Sequence, residues 1–250
     1  MAKRKWHLLI RRSHRYLGLI FGIQFLFWTV GGLYFSWTNI NQITGKDIRK
    51  EEPALLPDNA HVPLAQIISK IKKTGTVAAI KSIQLVDVLD TLYFQVTYSD
   101  GKQMSTRLAN AQSGELRLPL TENDAIAVAK SRLKVDAVVK EVKYLTATDN
   151  HHEYREKPLP AFAVTFSGKI NTTVYVSTEM GTVQSFRNNN WRLFDFLWML
   201  HTMDYKERDN INNWVLRIFS VLGLVTIISG FILFVISIKP AKKKIPVTLK

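Results

Sequence analysis

Arg11-Arg12-Ser13-His14-Arg15-Tyr16-Leu17-Gly18-Leu19-Ile20-Phe21-Gly22 leads into a run that carries no charge until Lys46. Within it, Leu17 to Phe35 contains one side-chain amide, Gln24. Wound as a helix at 100° per residue, His14, Gly18, Gly22, Phe25, Thr29, Gly32 and Ser36 fall within an arc of about 80°. An imidazole therefore heads a stripe of mostly small residues. The run also meets the roughly 20 apolar residues needed to cross a bilayer core, a solvent in which polar groups are costly.

A second run, Ile218 to Ile238, holds 21 residues without a charge. The net charge of +14 is explained by what flanks these two runs. Lys3, Arg4, Lys5, Arg11, Arg12 and Arg15 precede the first, and Lys239, Lys242, Lys243, Lys244 and Lys250 follow the second. No acidic residue occurs before Asp47 or after Asp209. Of 34 basic residues these tails take eleven, leaving 23 against 20 acidic ones, so the middle is nearly neutral. Such patterning places both tails in the cytoplasm and argues against a nucleic-acid face. The first run exceeds a signal peptide's usual apolar length of about 7–15 residues, and Tyr34-Phe35-Ser36-Trp37 offers no small-x-small cleavage site, so it reads as an uncleaved anchor. The absence of cysteine excludes disulfides, thiolate metal sites and a cysteine nucleophile.

Between the spans the pattern is α+β. Pro53, Pro57 and Pro63 interrupt residues 39–63. Leu64, Ile67, Ile68 and Ile71 then share a helical face, with Gly75 as the stop. Strands are expected over Ile80–Val86, Thr91–Tyr98 and Gln103–Ala109, with Ser99-Asp100-Gly101-Lys102 as a hairpin turn and a further turn ending at Ser113-Gly114-Glu115. The order then recurs. Thr121-Glu122-Asn123-Asp124 is a capping box with Asp in place of Glu, opening a helix with Ala125, Ile126, Ala129 and Leu133. Strands follow at Ala137–Leu145, Phe162–Phe166 and Asn171–Ser177, with turns at Ser167-Gly168-Lys169 and Met180-Gly181-Thr182. Phe94-Gln95-Val96-Thr97-Tyr98-Ser99 aligns with Phe162-Ala163-Val164-Thr165-Phe166-Ser167, 68 positions on, so the region reads as an internal repeat. After it, Trp191, Phe194, Trp198 and His201 share an arc of about 80° on a helix suited to a membrane–water boundary. In the second run Ser220, Gly223, Thr226, Gly230 and Ser237 cluster on one side, and both this face and Gly18-x-x-x-Gly22 suit close helix approach.

His14-Arg15-Tyr16-Leu17-Gly18-Leu19 at the first span, the two repeated units, and Leu200-His201-Thr202 with Arg208-Asp209-Asn210 before the second span resemble the PepSY-associated transmembrane family of bacteria. The resemblance covers nearly the whole chain. It implies an α+β inner-membrane protein with two transmembrane helices flanking an extracytoplasmic domain of two PepSY-like helix-plus-antiparallel-sheet units. The expected division is a basic tail (1–15), span (16–37), linker (38–63), first unit (64–118), second unit (119–187), aromatic interfacial segment (188–213), span (214–238) and basic tail (239–250). Larger relatives include iron–siderophore reductases that carry b-type haem, typically on four spans where this chain has two.

That resemblance makes His14 and His201 candidate axial ligands to haem iron, a role for which neutral imidazole is suited. A flat macrocycle beside a helix requires missing side chains, as at Gly18 and Gly22, and Arg15 with Arg11 and Arg12 is placed to neutralise propionates. Trp198, with Trp191 and Phe194, is a candidate wall beside His201. The competing readings are a histidine that anchors the helix among headgroups, glycines that pack the second span, and an ordinary aromatic belt.

With the ends of the spans on opposite sides, roughly 30 Å of bilayer separates the two histidines, so they cannot share one iron. One straight helix cannot set His7 and His14 on opposite faces of a haem either. A homodimer would pair like with like and assemble a four-helix core, because an isologous interface joins identical surfaces; a partner in a larger membrane complex is the alternative. His151-His152 beside Glu153 and Glu156 is a weaker metal candidate in what reads as a solvated loop, and His61 has no visible partner. No Ser-His-Asp, HExxH, P-loop or dinucleotide fingerprint appears. Three functions follow: haem-b electron transfer across the membrane, resembling ferric or siderophore reductases; a non-catalytic tethered module that binds or regulates an extracytoplasmic partner; or an accessory subunit of a larger redox or uptake complex.

Overall fold

The computed structural model describes residues 2–51, 62–168 and 171–238, with the side chains of 2–5 and 7 left out. Pro53, Pro57, His61, Lys169, the tail 239–250 and the side chains of Lys3, Arg4, Lys5 and His7 thus lie outside the described residues. The elements in order are α1 (Ala2–Trp37), α2 (Ile40–Thr44), α3 (Leu64–Thr74), β1 (Ala79–Val88), β2 (Thr91–Ser99), β3 (Met104–Asn110), α4 (Glu122–Ser131), β4 (Val139–Leu145), β5 (Ala161–Phe166), β6 (Thr173–Ser177), β7 (Val183–Arg187), α5 (Asn189–Thr202) and α6 (Trp214–Ser237). They form two compact units, residues 38–195 and residues 1–37 with 196–250, the division falling inside α5.

In residues 38–195, β1-β2-β3 and β4-β5-β6-β7 are two antiparallel sheets. The repeat seen in the sequence is present in detail. Thr97 Oγ1 lies 3.2 Å from Thr106 Oγ1, and Thr165 Oγ1 lies 3.1 Å from Thr173 Oγ1. A bulge leaves Lys81 unpaired opposite Tyr98 and Thr97, and another leaves Lys140 unpaired opposite Phe166 and Thr165. The turns also match. Gly114 N–H donates to the Asn110 carbonyl and Gly181 N–H to that of Ser177, and both glycines take positive φ, 67° and 70°. The second unit carries an additional strand, β7, unexpected from sequence because Val183-Gln184-Ser185-Phe186-Arg187 is short and largely polar.

One core draws on both repeats: Val88 and Leu108 from the first pack with Leu120, Ala125, Val128, Phe162, Val164, Val174, Val176 and Phe186 from the second. A smaller core holds Ile67, Ile71, Val96, Tyr98 and Ala109. Leu64, expected on the buried face of α3, is exposed at the helix's first position, where the chain has only begun to turn onto the sheet. The capping box of α4 forms as expected. Thr121 Oγ1 accepts from Asp124 N–H at 3.2 Å, and Asp124 Oδ2 accepts from Thr121 N–H at 3.1 Å. The helix ends at Ser131, so Leu133 reaches the core from the following turn.

In the other unit, α1 and α6 are each long and apolar enough to cross a bilayer. α1 continues through the basic stretch expected to be a separate tail, since Lys and Arg are good helix formers and no glycine or proline intervenes before Gly18. The two helices pack antiparallel: Phe21 meets Phe219 edge-on at 5.0 Å, and Gly223 and Thr226 are buried. Small residues on α6 let the helices approach, as van der Waals packing in a membrane favours. The matching expectation for α1 is not met. A Cβ at Gly18, Gly22 or Gly32 would touch nothing within 4 Å, because α1 turns Phe21 and Phe25 toward α6 instead.

A polar knot joins the end of α5 to the start of α6. Asn213 Oδ1 accepts from Leu216 N–H at 2.8 Å, capping α6, while its Nδ2 donates to the carbonyls of Thr202 and Asn210. Asp204 accepts from the N–H groups of Lys206, Glu207 and Asn210. The Leu200-His201-Thr202 and Arg208-Asp209-Asn210 motifs therefore contribute a structural joint. Burial acts to raise the Asp204 carboxyl, but these backbone donors outweigh it and hold it below the ordinary carboxylate range; Asp124 is lowered in the same sense by Thr121 and Arg117. A depressed folded pKa means stability fully present above the unfolded value of about 4 and lost as pH falls through the folded one. Thermal stability is thus expected to decline below about pH 4, and Asp204→Asn combined with Asp124→Asn should flatten that decline.

Candidate functional site

His14 sits at the edge of the α1–α6 seam. Its Nδ1 lies 2.8 Å from Ser229 Oγ, and Ser229 Oγ lies 2.7 Å from the Thr226 carbonyl. A serine hydroxyl has one hydrogen, and the Thr226 carbonyl can only accept, so Ser229 accepts from His14 Nδ1–H. In the neutral imidazole this leaves the lone pair on Nε2. The ring stands over Gly230, where a Cβ would come within 3.2 Å of Cε1 and 3.9 Å of Nε2. A hydroxyl that fixes the tautomer and orientation of an imidazole is the arrangement that outer partners provide to ligating histidines. Gly18 and Gly22 continue outward from His14 as an uncovered strip, so the reading in which they pack the second span is overturned. Arg15 is exposed beside them.

His201 lies at the end of α5. Its backbone carbonyl accepts from Trp28 Nε1 at 2.9 Å, and Gln24 Nε2 donates to the preceding carbonyl, Leu200, at 2.8 Å. Three aromatic rings surround the imidazole: Trp28 at 5.7 Å, Phe35 at 6.0 Å and Trp198 at 6.2 Å, the last nearly parallel at 14°. Its Nδ1 is buried without a hydrogen-bond partner among the described residues. Of the expected walls Trp198 is present. Trp191 lies instead in the other unit, with the Arg187 guanidinium 3.9 Å from its ring centre. Trp28 and Phe35 were not picked out from sequence, although Trp28, Phe35 and Gln24 all belong to the first apolar run.

The two imidazoles remain separate stations. His201 touches both Trp28 and Phe35, fourteen and twenty-one residues beyond His14 on α1, an axial separation of about 21–31 Å that keeps the two imidazoles from sharing one iron. They share a nitrogen not engaged by the described residues, but only His14 has uncovered space beside it; the free Nδ1 of His201 is closed in.

The His151–Glu156 loop is built differently from the expectation of a solvated segment. Glu153 accepts from Tyr175 Oη at 2.8 Å and from Arg192 Nε and Nη2 at 2.7 and 2.9 Å, while its carbonyl accepts from Arg187 Nε at 2.8 Å. Arg155 pairs with Asp195 at 2.7 Å, and Tyr154 stacks on Tyr175 at 4.5 Å. Burial, followed by the Glu153 charge, pushes the Tyr175 hydroxyl well above its ordinary range; burial also lowers Arg187. Glu153 is fully engaged and His152 Nδ1 accepts from Tyr154 N–H at 3.0 Å. Among the described residues no cluster of three or more His, Cys, Asp or Glu is placed to hold a metal ion.

No curated protein matches the chain. Among solved structures, a protein of Clostridium difficile 630 provisionally named a lipoprotein aligns with 56% of this chain and 100% of its own, at 16% identity and a TM-score of 0.23. That similarity is too low to carry an argument. The model of the PepSY-associated TM region matches residues 11–244, nearly the whole chain. A protein whose two apolar helices flank a region of helices and antiparallel sheets, with this match over nearly its whole length, is a membrane protein that belongs to the PepSY-associated TM family.

Proposed function

We propose that the protein is a haem-b electron-transfer protein of the bacterial inner membrane, with both termini cytoplasmic and the central unit outside, passing electrons outward to a ferric complex or a partner protein. The observation that carries this reading is the imidazole of His14: Ser229 fixes its Nδ1–H and leaves Nε2 unengaged over Gly230. His201, with its orphaned Nδ1 inside the Trp28–Phe35–Trp198 cage, is the second station. Haem at these positions would supply one-electron redox chemistry. The chain's own contribution is to orient each imidazole, to present Gly18 and Gly22 as an uncovered strip beside His14, and to keep water from His201 with aromatic rings. Arg15 and its neighbours offer cations at the basic end. Among the described residues each station has one imidazole per chain, so a second copy completes both, pairing like histidines across a two-fold axis.

The test is a reduced-minus-oxidised visible spectrum of protein produced with ample haem. A b-type spectrum is expected, with His14→Ala and His201→Ala each removing part of it. Ser229→Ala should weaken haem retention about 10–100-fold by releasing the Nδ1–H. A spectrum without haem bands overturns the reading, and bands that survive both alanine variants overturn the ligand assignment. A protein that functions normally with both histidines replaced is the tethered module instead.

A further inference from the structure

Between α1 and α6, on the same side of the seam as Phe21 and Gly223, lies a half-enclosed cavity of about 290 Å³. Its walls are the rings of Phe21, Phe25, Trp28 and Phe219 with Gly223 and Ile227. Two polar side chains line it, Ser220 and Gln24, and Gln24 is only 8% exposed. The Gln24 amide is oriented, because Nε2 gives one hydrogen to the Leu200 carbonyl. That leaves the second Nε2 hydrogen and the Oε1 acceptor without partners among the described residues. A primary amide half-satisfied in hydrocarbon is costly, and in membrane helices such groups mark binding positions. The other hydroxyls nearby are already satisfied by their own helix, Ser220 on the Leu216 carbonyl and Thr226 on that of Leu222.

We infer that this cavity binds the ring of a membrane-dissolved quinone, with Gln24 as its polar contact. Three features select that class over a plain acyl chain. The walls are aromatic, suiting a flat ring that stacks or meets ring edges. The cavity holds about one substituted ring and opens onto the lipid side, so an isoprenoid tail can remain in the bilayer. The amide serves both redox forms: Oε1 accepts the hydroxyl of a hydroquinone, and the second Nε2–H donates to the carbonyl of a quinone. This deepens the electron-transfer reading and rests on it for its physiological meaning, since a quinone pool is a source of electrons inside the membrane. The binding itself requires no haem.

The experiment uses the full chain, haem-free, in lipid nanodiscs. Labelled decylubiquinone is the probe, displaced by excess unlabelled decylubiquinone or by decylbenzene as a ring-and-tail control without oxygens. Saturable binding is expected that the quinone displaces and decylbenzene does not. Gln24→Leu should weaken it at least tenfold, and Ser220→Phe, which fills the cavity from an exposed position, should abolish it without lowering the melting temperature. Displacement by decylbenzene as effective as by quinone shows a lipid groove and overturns the inference, as does wild-type affinity in either variant or the absence of displaceable binding. Haem content is read separately from the spectrum of haem-supplied protein, so failure of the haem reading and failure of this site are distinct results.

Discussion

Gly181→Ala is expected to destabilise the 38–195 unit by about 2–5 kcal/mol, a large share of the roughly 5–15 kcal/mol that holds a domain folded. Two independent costs add. The backbone at Gly181 has φ of +70°, a left-handed conformation that costs a residue with Cβ roughly 1–2 kcal/mol. The new methyl would also stand 2.7 Å from Leu108 Cδ1 and 2.9 Å from Val88 Cγ2, inside the core shared by the repeats. Overpacking of this kind costs about 1–3 kcal/mol. Gly114, at the matching turn, faces Val62 Cγ1 at 3.2 Å, so Gly114→Ala should cost less. Urea or thermal unfolding of the pair checks the ranking, and equal losses would remove the role assigned to the shared core.

Glu153→Ala carries the second large effect, about 2–4 kcal/mol, a figure set below the full penalty for breaking a buried pair because both partners keep some exposure. The carboxylate joins Arg192 from α5, Tyr175 from β6 and, by charge, the half-buried Arg187 beside Trp191. Removing it leaves the Arg192 guanidinium without its carboxylate and takes from Arg187 one of two nearby countercharges, the other being Asp195. Glu153→Gln keeps the shape but loses the charge and should recover part of the loss. Melting temperatures of the two variants test this; if alanine and wild type melt together, the network contributes nothing to stability.

What could be read in the sequence was what depends on spacing within one segment. Two uncharged runs gave the spans, alternation gave β1 to β6, and Thr121 with Asp124 gave a helix start down to its hydrogen bonds. What escaped depended on partners distant in sequence. The strip of Gly18 and Gly22 was legible as a strip, but the face of α1 that meets α6 is set by His14, Phe21 and Phe25, whose partners lie about two hundred residues away. The cage of His201 takes Trp28 and Phe35 from α1 for the same reason. The loop around Glu153 looked solvated because charged residues forming a buried network have the same composition as charged residues in water. His14 and His201 were visible as types in context, yet the Ser229 contact that orients His14 had no local signal.

The duplicated turns, bulges and threonine pairs record two copies of one motif, but the copies no longer behave as two bodies. Because Val88 and Leu108 are sealed by side chains of the second copy, exposing either half uncovers part of the other's interior. Opening therefore proceeds as a single cooperative event, with amide protection in β3 and β6 governed by the same free energy. Duplication here supplied raw material for one foldon rather than a second module.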